Sequence, residues 1–135
     1  MSREPIDQLC DSVRKCSYAL HRYLRHGHLE KVYENGLCHR LQKSGLQVHQ
    51  QVPVPVMDED GALLGDFVAD LVVENMLIIE LKAVTEVHSN HIAQLLGYLL
   101  ASRKPYELLV NFGAPRLYVK RFVMQRKLEE FSSGN

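Results

Sequence analysis

Two neighbouring stretches, DFVADLVV (66–73) and MLIIELKAV (76–84), are apolar on both alternations of their side chains. A strand presents successive side chains to opposite faces. A run without a polar face is therefore expected where both faces of a sheet are covered. Glu74 and Asn75 alone stand between the two runs, and so short a break predicts a hairpin.

The remaining chain supplies covering layers. Ile6, Leu9, Val13, Leu20 and Leu24 recur at helical spacing behind Pro5, which predicts a helix over 5–25 with Gly27 as its breaker. A second helix is expected from about Leu29 to Lys43, closed by Gly45. In LQVHQQVPVPVM, Leu46, Val48, Val52, Val54 and Val56 share one parity, which predicts a strand with one buried face. Pro53 and Pro55 cannot donate to a ladder, so this strand belongs at an edge. A leucine-rich helix over about 90–103 and two strands, YELLVNF and RLYVKRFV, complete the chain. The order predicts an α/β protein, a three-layer α/β/α sandwich around a central mixed sheet.

The 135 residues suit one domain, expected over 1–131, with 132–135 as a disordered tail. No apolar run reaches the length of a membrane span, and no signal-peptide pattern opens the chain. Cys10, Cys16 and Cys38 have neither disulfide-like nor zinc-like spacing, which suits a reducing cytoplasm. Sixteen basic and sixteen acidic residues cancel, which argues against coating long duplex DNA by bulk charge. A local basic groove remains compatible with that balance.

Glu80 and Lys82 interrupt the second apolar run, two apart and therefore on one face. Charged side chains are seldom buried without partners. The preceding strand contributes Asp70. A two-residue turn at Glu74-Asn75 would set Asp70 against Ile79 and separate the acids. A three-residue loop through Met76 would set Asp70 against Glu80. A slip of one residue inverts the face, and the sequence leaves both registers open. In the second register the Cβ atoms lie roughly 4.5–5.5 Å apart, and like charges that close need a cation between them. Mg²⁺ takes such carboxylate oxygens and completes its shell with water and phosphate. A plain Glu80–Lys82 salt bridge is the bland alternative.

D-x9-E-x-K across a hairpin resembles the signature of the PD-(D/E)XK nuclease superfamily. GHLEKVYENGL resembles the motif of the GxxExxY family through Gly27, Glu30 and Tyr33. HIAQLLGYL carries Q-x-x-x-Y at Gln94 and Tyr98, as in the RecB-like and lambda-exonuclease-like branch. LLVNFG and YVKRFV look like the family's C-terminal strand pair. One departure is RHGHLE, which lacks the proline usual beside the glycine. The resemblance implies a restriction-endonuclease-like core. It implies Asp70 and Glu80 as catalytic metal ligands, with the Leu81 carbonyl and Glu30 as further ligands, and Lys82 orienting the attacking water. The implied cofactor is Mg²⁺ or Mn²⁺.

Glu30 and Glu34 lie one turn apart, and we read Glu30 as functional and Glu34 as a surface acid. Tyr33 reads as a packing residue with its hydroxyl bonded. Gln94 and Tyr98 share a helix face, with His91 one turn before, and together read as substrate-positioning groups. His21 reads as a core histidine. His26 and His28 lack ligand partners at zinc spacing. Arg14, Lys15, Arg22 and Arg25, and near the end Lys120, Arg121, Arg126 and Lys127, could follow a phosphate backbone, although such charges are commonly a solvated face.

The expected function is cleavage of nucleic acid, DNA first, at ends, flaps or single-stranded regions, with no membrane association. A homodimer or protein partner could supply further binding surface. The rivals are a non-catalytic nucleic-acid- or protein-binding module on the same fold, and a hydrolase of some other phosphate ester.

Overall fold

In the computed structural model the described residues are 4–102, 104 and 106–123. The elements follow the expected order: α1 (Pro5–Leu24), α2 (Glu30–Lys43), β1 (Val48–Met57), β2 (Leu63–Val73), β3 (Leu77–Lys82), α3 (Ser89–Ser102), β4 (Tyr106–Asn111) and β5 (Tyr118–Val123). The strands form one mixed sheet in the order β1-β2-β3-β4-β5. Only β3 and β4 are parallel, joined by the crossover through α3. The proline-bearing β1 occupies an edge, as its two missing donors require. The expected tail, together with Arg126 and Lys127, lies outside the described residues.

Helices α1 and α2 lay Leu9, Val13, Leu20, Tyr33, Leu37 and Leu41 against one face of the sheet. There they meet Leu71, Val73, Leu77, Ile79, Leu81, Leu108 and Val110 in the main core. Helix α3 packs on β1 and buries Leu95 and Leu99. None of the described helices is long and apolar enough to cross a membrane.

The helix ends show local chemistry overriding the simplest expectation in one case. Helix α1 stops at Leu24, before Gly27, because Arg25 itself takes a left-handed φ of 62° and donates its N–H to the His21 carbonyl at 2.8 Å. The Arg25 carbonyl then accepts the Tyr33 hydroxyl at 2.5 Å, which fixes the turn onto α2. Helix α2 ends as Gly45 predicts. Gly45, at φ 94°, donates to Gln42 and Leu46 donates back to Leu41, a Schellman closure.

Strands β1 and β2 depart from simple alternation. Val48 and Val54 share a parity, yet Val48 lies in the main core and Val54 in a second, smaller cluster. Likewise Ala69 belongs to the small cluster and Leu71 to the main one. Both strands turn over at one rung. The ladder pairs Gln50 with Leu71 and Val52 with Ala69, and the intervening Gln51 has a φ of 52°. The one buried face expected of β1 is therefore two half-faces. The residue at the same rung of β2 is Asp70.

The hairpin loop settles the open register. Val73 pairs with Leu77 and Leu71 with Ile79, so residues 74–76 form an odd-length connection. Glu74 and Asn75 both take positive φ, 54° and 53°, and the Met76 N–H donates to the Val73 carbonyl at 3.0 Å. This is a type I′ turn followed by one supernumerary residue. Glu74 tolerates its left-handed backbone because it is clamped to Gln47. Its N–H donates to the Gln47 carbonyl at 2.8 Å, and its carboxylate accepts the Gln47 N–H at 2.6 Å.

Candidate active site

Continuing the β2–β3 register by one rung sets Asp70 opposite Glu80. The side chains of Ile78, Glu80 and Lys82 alternate with Ile79 and Leu81, which point into the main core. Glu80 and Lys82 therefore lie on the sheet face turned away from α1 and α2. Asp70 Oδ2 accepts the Leu81 N–H at 2.8 Å, so its carboxyl occupies a place where β2 backbone would otherwise continue the ladder. Its Oδ1 lies 3.5 Å from the Gln51 amide.

Glu80 is half-buried, and its Oε1 is sealed from solvent without a hydrogen-bond partner. Loss of solvent pushes its carboxyl up to about 9, and the charges of Asp70 and Glu107 and a hydrogen bond shared with Asp70 push the same way. A carboxylate in such a place carries a free-energy penalty that a bound cation would remove.

Glu107 escaped the sequence reading. It lies on β4, opposite Ile78 in the parallel ladder and thus on the face of Glu80. It is 1% exposed, with Oε2 unpartnered. Burial and the Asp70 charge raise its carboxyl to about 8. The signal was present: YELLV is an apolar strand with one internal acid, as IIELK is.

Glu30, at the start of α2, is exposed as a residue. Partial desolvation, then the charge of Asp70, raises its carboxyl above the ordinary range, and Lys82 opposes that shift. Its carboxyl thus feels both Asp70 and Lys82. Glu34 is the reverse of the expectation. It is 3% exposed and accepts Lys31 at 2.9 Å, Gln50 at 2.7 Å and Gln51 at 2.8 Å. Residues 30, 33, 34, 37, 38 and 41 follow one helical stripe, and Glu34 sits within it. Gln51 thereby links the buried Glu34 to Asp70.

Tyr33 is fully buried, stacked on Phe112 at 4.7 Å with its hydroxyl bonded. His21 is buried, with Nε2 2.9 Å from the Ala114 carbonyl oxygen. On α3, the His91 ring accepts the His88 N–H at 3.2 Å and so tightens the helix start. Gln94 is exposed on the same helix. Tyr98 is on α3, but its side chain lies outside the described ones. The three cysteines are free.

The end of β3 is fastened to the end of β4. The Phe112 N–H donates to the Lys82 carbonyl at 2.9 Å. The Asn111 amide donates to the Val84 carbonyl at 2.9 Å and accepts the Val84 and Gly113 N–H groups at 3.0 and 3.1 Å. Gly113 passes so close to this segment that a Cβ there would come within 2.2 Å of Val84 N. Lys82 is thus held between two fixed rungs.

Among the described residues, no group of three or more His, Cys, Asp or Glu side chains is gathered to hold a metal ion. The donor set still suits a hard divalent cation. Two carboxyls meet on one face, one carries an unpartnered buried oxygen, and Mg²⁺ is commonly held by one or two carboxylates with water and phosphate completing its shell.

The family model described as the PD-(D/E)XK nuclease superfamily matches residues 7–122. No curated protein matches the chain.

Proposed function

The chain belongs to the PD-(D/E)XK nuclease superfamily, whose members typically use divalent metal ions, and from that membership we propose that it hydrolyses phosphodiester bonds in DNA. The substrates are ends, flaps or single-stranded regions, and the cation is Mg²⁺ or Mn²⁺. Within the superfamily we place it in the GxxExxY family, of the RecB-like branch, on the strength of Gly27, Glu30, Tyr33, Gln94 and Tyr98. The observation that carries the reading is the convergence of Asp70 and Glu80 on one face, with an orphaned Glu80 oxygen and Lys82 one pleat along.

Asp70, Glu80, the Leu81 carbonyl and Glu30 would hold the cation, which supplies Lewis-acid polarisation of the phosphate and a more acidic bound water. Glu80 would give up its proton on becoming a ligand. Lys82 Nζ, with three donors and no acceptor, orients the attacking water and offsets charge developing on the phosphoryl oxygens. Asn111 and Phe112 hold the backbone that carries Lys82, which limits the orientations its amine must sample. Gln94, Tyr98 and His91 position the substrate. Neutral net charge makes binding to duplex alone weak and salt-sensitive, so a second copy or a protein partner enlarges the contact.

The test pairs two measurements. Labelled single-stranded, duplex and flapped DNA are incubated with Mn²⁺ and either the wild type or Lys82→Ala, and only the wild type should cut. A thermal-shift titration with Mn²⁺ should stabilise the wild type and leave Asp70→Ala and Glu80→Ala unmoved. A metal-dependent shift without cleavage of any substrate would favour the non-catalytic module.

A further inference from the structure

A cleft of about 340 Å³ opens between the C-terminal half of α1 and the loop joining β4 to β5. Tyr18, Arg22 and Arg25 line it from α1, and Arg116 lines it from the loop. No acid is among its described lining residues. All three arginines are exposed, and among the described residues none of their guanidinium groups has an ion-pair or hydrogen-bond partner. In a chain whose charges sum to zero, three unpaired arginines around one concavity are a local excess. Guanidinium forks match phosphate oxygens in pairs. Tyr18, 54% exposed at the same cleft, offers an aromatic face on which a base can stack.

The cleft is also tied to the candidate active site. His21 anchors the Ala114 carbonyl, two residues before Arg116. Gly113 lies against Val84, two residues after Lys82. Arg25 and Glu30 are the two ends of the turn between α1 and α2. A strand held in the cleft therefore lies at the sheet end that carries Lys82.

We propose that this cleft binds single-stranded nucleic acid, with Arg22, Arg25 and Arg116 on consecutive phosphates and Tyr18 under a base. The assignment deepens the nuclease reading by giving the strand a second hold at the sheet end that carries the candidate site, and it rests on that reading only for what the hold is used for.

The test is binding of a fluorescein-labelled oligothymidylate, followed by anisotropy in EDTA so that nothing is cut. Arg→Gln at 22, 25 and 116 together should weaken binding at least about tenfold and reduce the slope of log affinity against log salt by roughly 2, at about 0.7 per lost single-strand contact. Tyr18→Ala should weaken binding about fivefold or more with an unchanged slope, and Tyr18→Phe should restore it. The exposed positions predict an unchanged thermal midpoint for each variant. The proposal fails if the wild type does not bind, or if the triple variant keeps the wild-type affinity and slope. It fails equally if neutralising Lys15, Arg40 and Lys43, the basic groove farther back between α1 and α2, costs as much. Arginine-dependent binding without any Mn²⁺-dependent cleavage would retire the hydrolytic reading and leave this site standing. Cleavage without arginine-dependent binding would do the opposite.

Discussion

The two faces of β3 bury side chains for opposite ends. On one, Ile79 and Leu81 are fully enclosed by α1, α2 and the neighbouring strands. Each square ångström removed from water there contributes roughly 25 cal/mol to folding. On the other, Glu80 and, across the ladder, Glu107 are enclosed with an oxygen unpartnered in each. Burial there raises free energy instead of lowering it. The apolar face holds the backbone rigid enough for the polar face to keep groups in states they would not choose in water. The candidate site occupies the face that costs stability, and the opposite face supplies it.

The widest separation between the faces should be in activity. Asp70→Asn, Glu80→Gln or Lys82→Ala should each lower cleavage by about 10²–10³ or more in single-turnover assays, with near-native circular dichroism. A variant that keeps the wild-type rate would remove the polar face from the chemistry. Stability should sort the other way. Leu81→Ala should cost about 2–5 kcal/mol in urea unfolding, whereas its neighbour Lys82→Ala should cost less than about 1 kcal/mol. Similar losses at both positions would erase the distinction.

The third difference lies in pH. Glu80 and Glu107 titrate at about 9 and about 8 in the fold, against 4.5 when exposed. Between those values the folded chain binds more protons than the unfolded one, so stability falls as pH rises. The contribution of these two acids is greatest below about 4.5 and is lost progressively as pH climbs through the folded values. Metal-free melting midpoints should decline across this window, and Glu107→Gln should flatten the decline. A midpoint that rises from pH 5 to 8 would contradict the buried, protonated acids. The smallest effect on cleavage is expected at Asn111. Asn111→Ala removes the bonds to Val84 and should cost about 1–3 kcal/mol. Its cleavage rate should fall by less than that of Lys82→Ala, because the amine remains but is held less firmly.

Much of this was legible in the order of residues. Apolar runs on both parities announced the central strands, Pro53 and Pro55 announced an edge, and Gly45 announced a helix end. The charges inside IIELK marked a candidate site. What escaped depended on single backbone angles or on neighbours far away in sequence. Gln51 adopts a positive φ that no local pattern signals, so the exchange of faces beside Asp70 was invisible. Arg25 ended α1 before Gly27 because a tyrosine eight residues on holds its carbonyl. Glu34 looked like a surface acid until Gln50 and Gln51 arrived from β1 to satisfy it. Glu107 followed the same rule as Glu80 and could have been found by applying it twice.

Met76 carries no charge, yet the meeting of the two acids depends on its being there. Remove that one codon and the tight turn would close directly onto the ladder, and every side chain of one strand would swap sides relative to the other. The recipe for the site is thus written partly as a tally of residues in an exposed bend, a kind of information that comparing residue types position by position passes over. Mutational searches that allow deletions, and not only replacements, should find the bend at 74–76 to be as intolerant as the acids themselves.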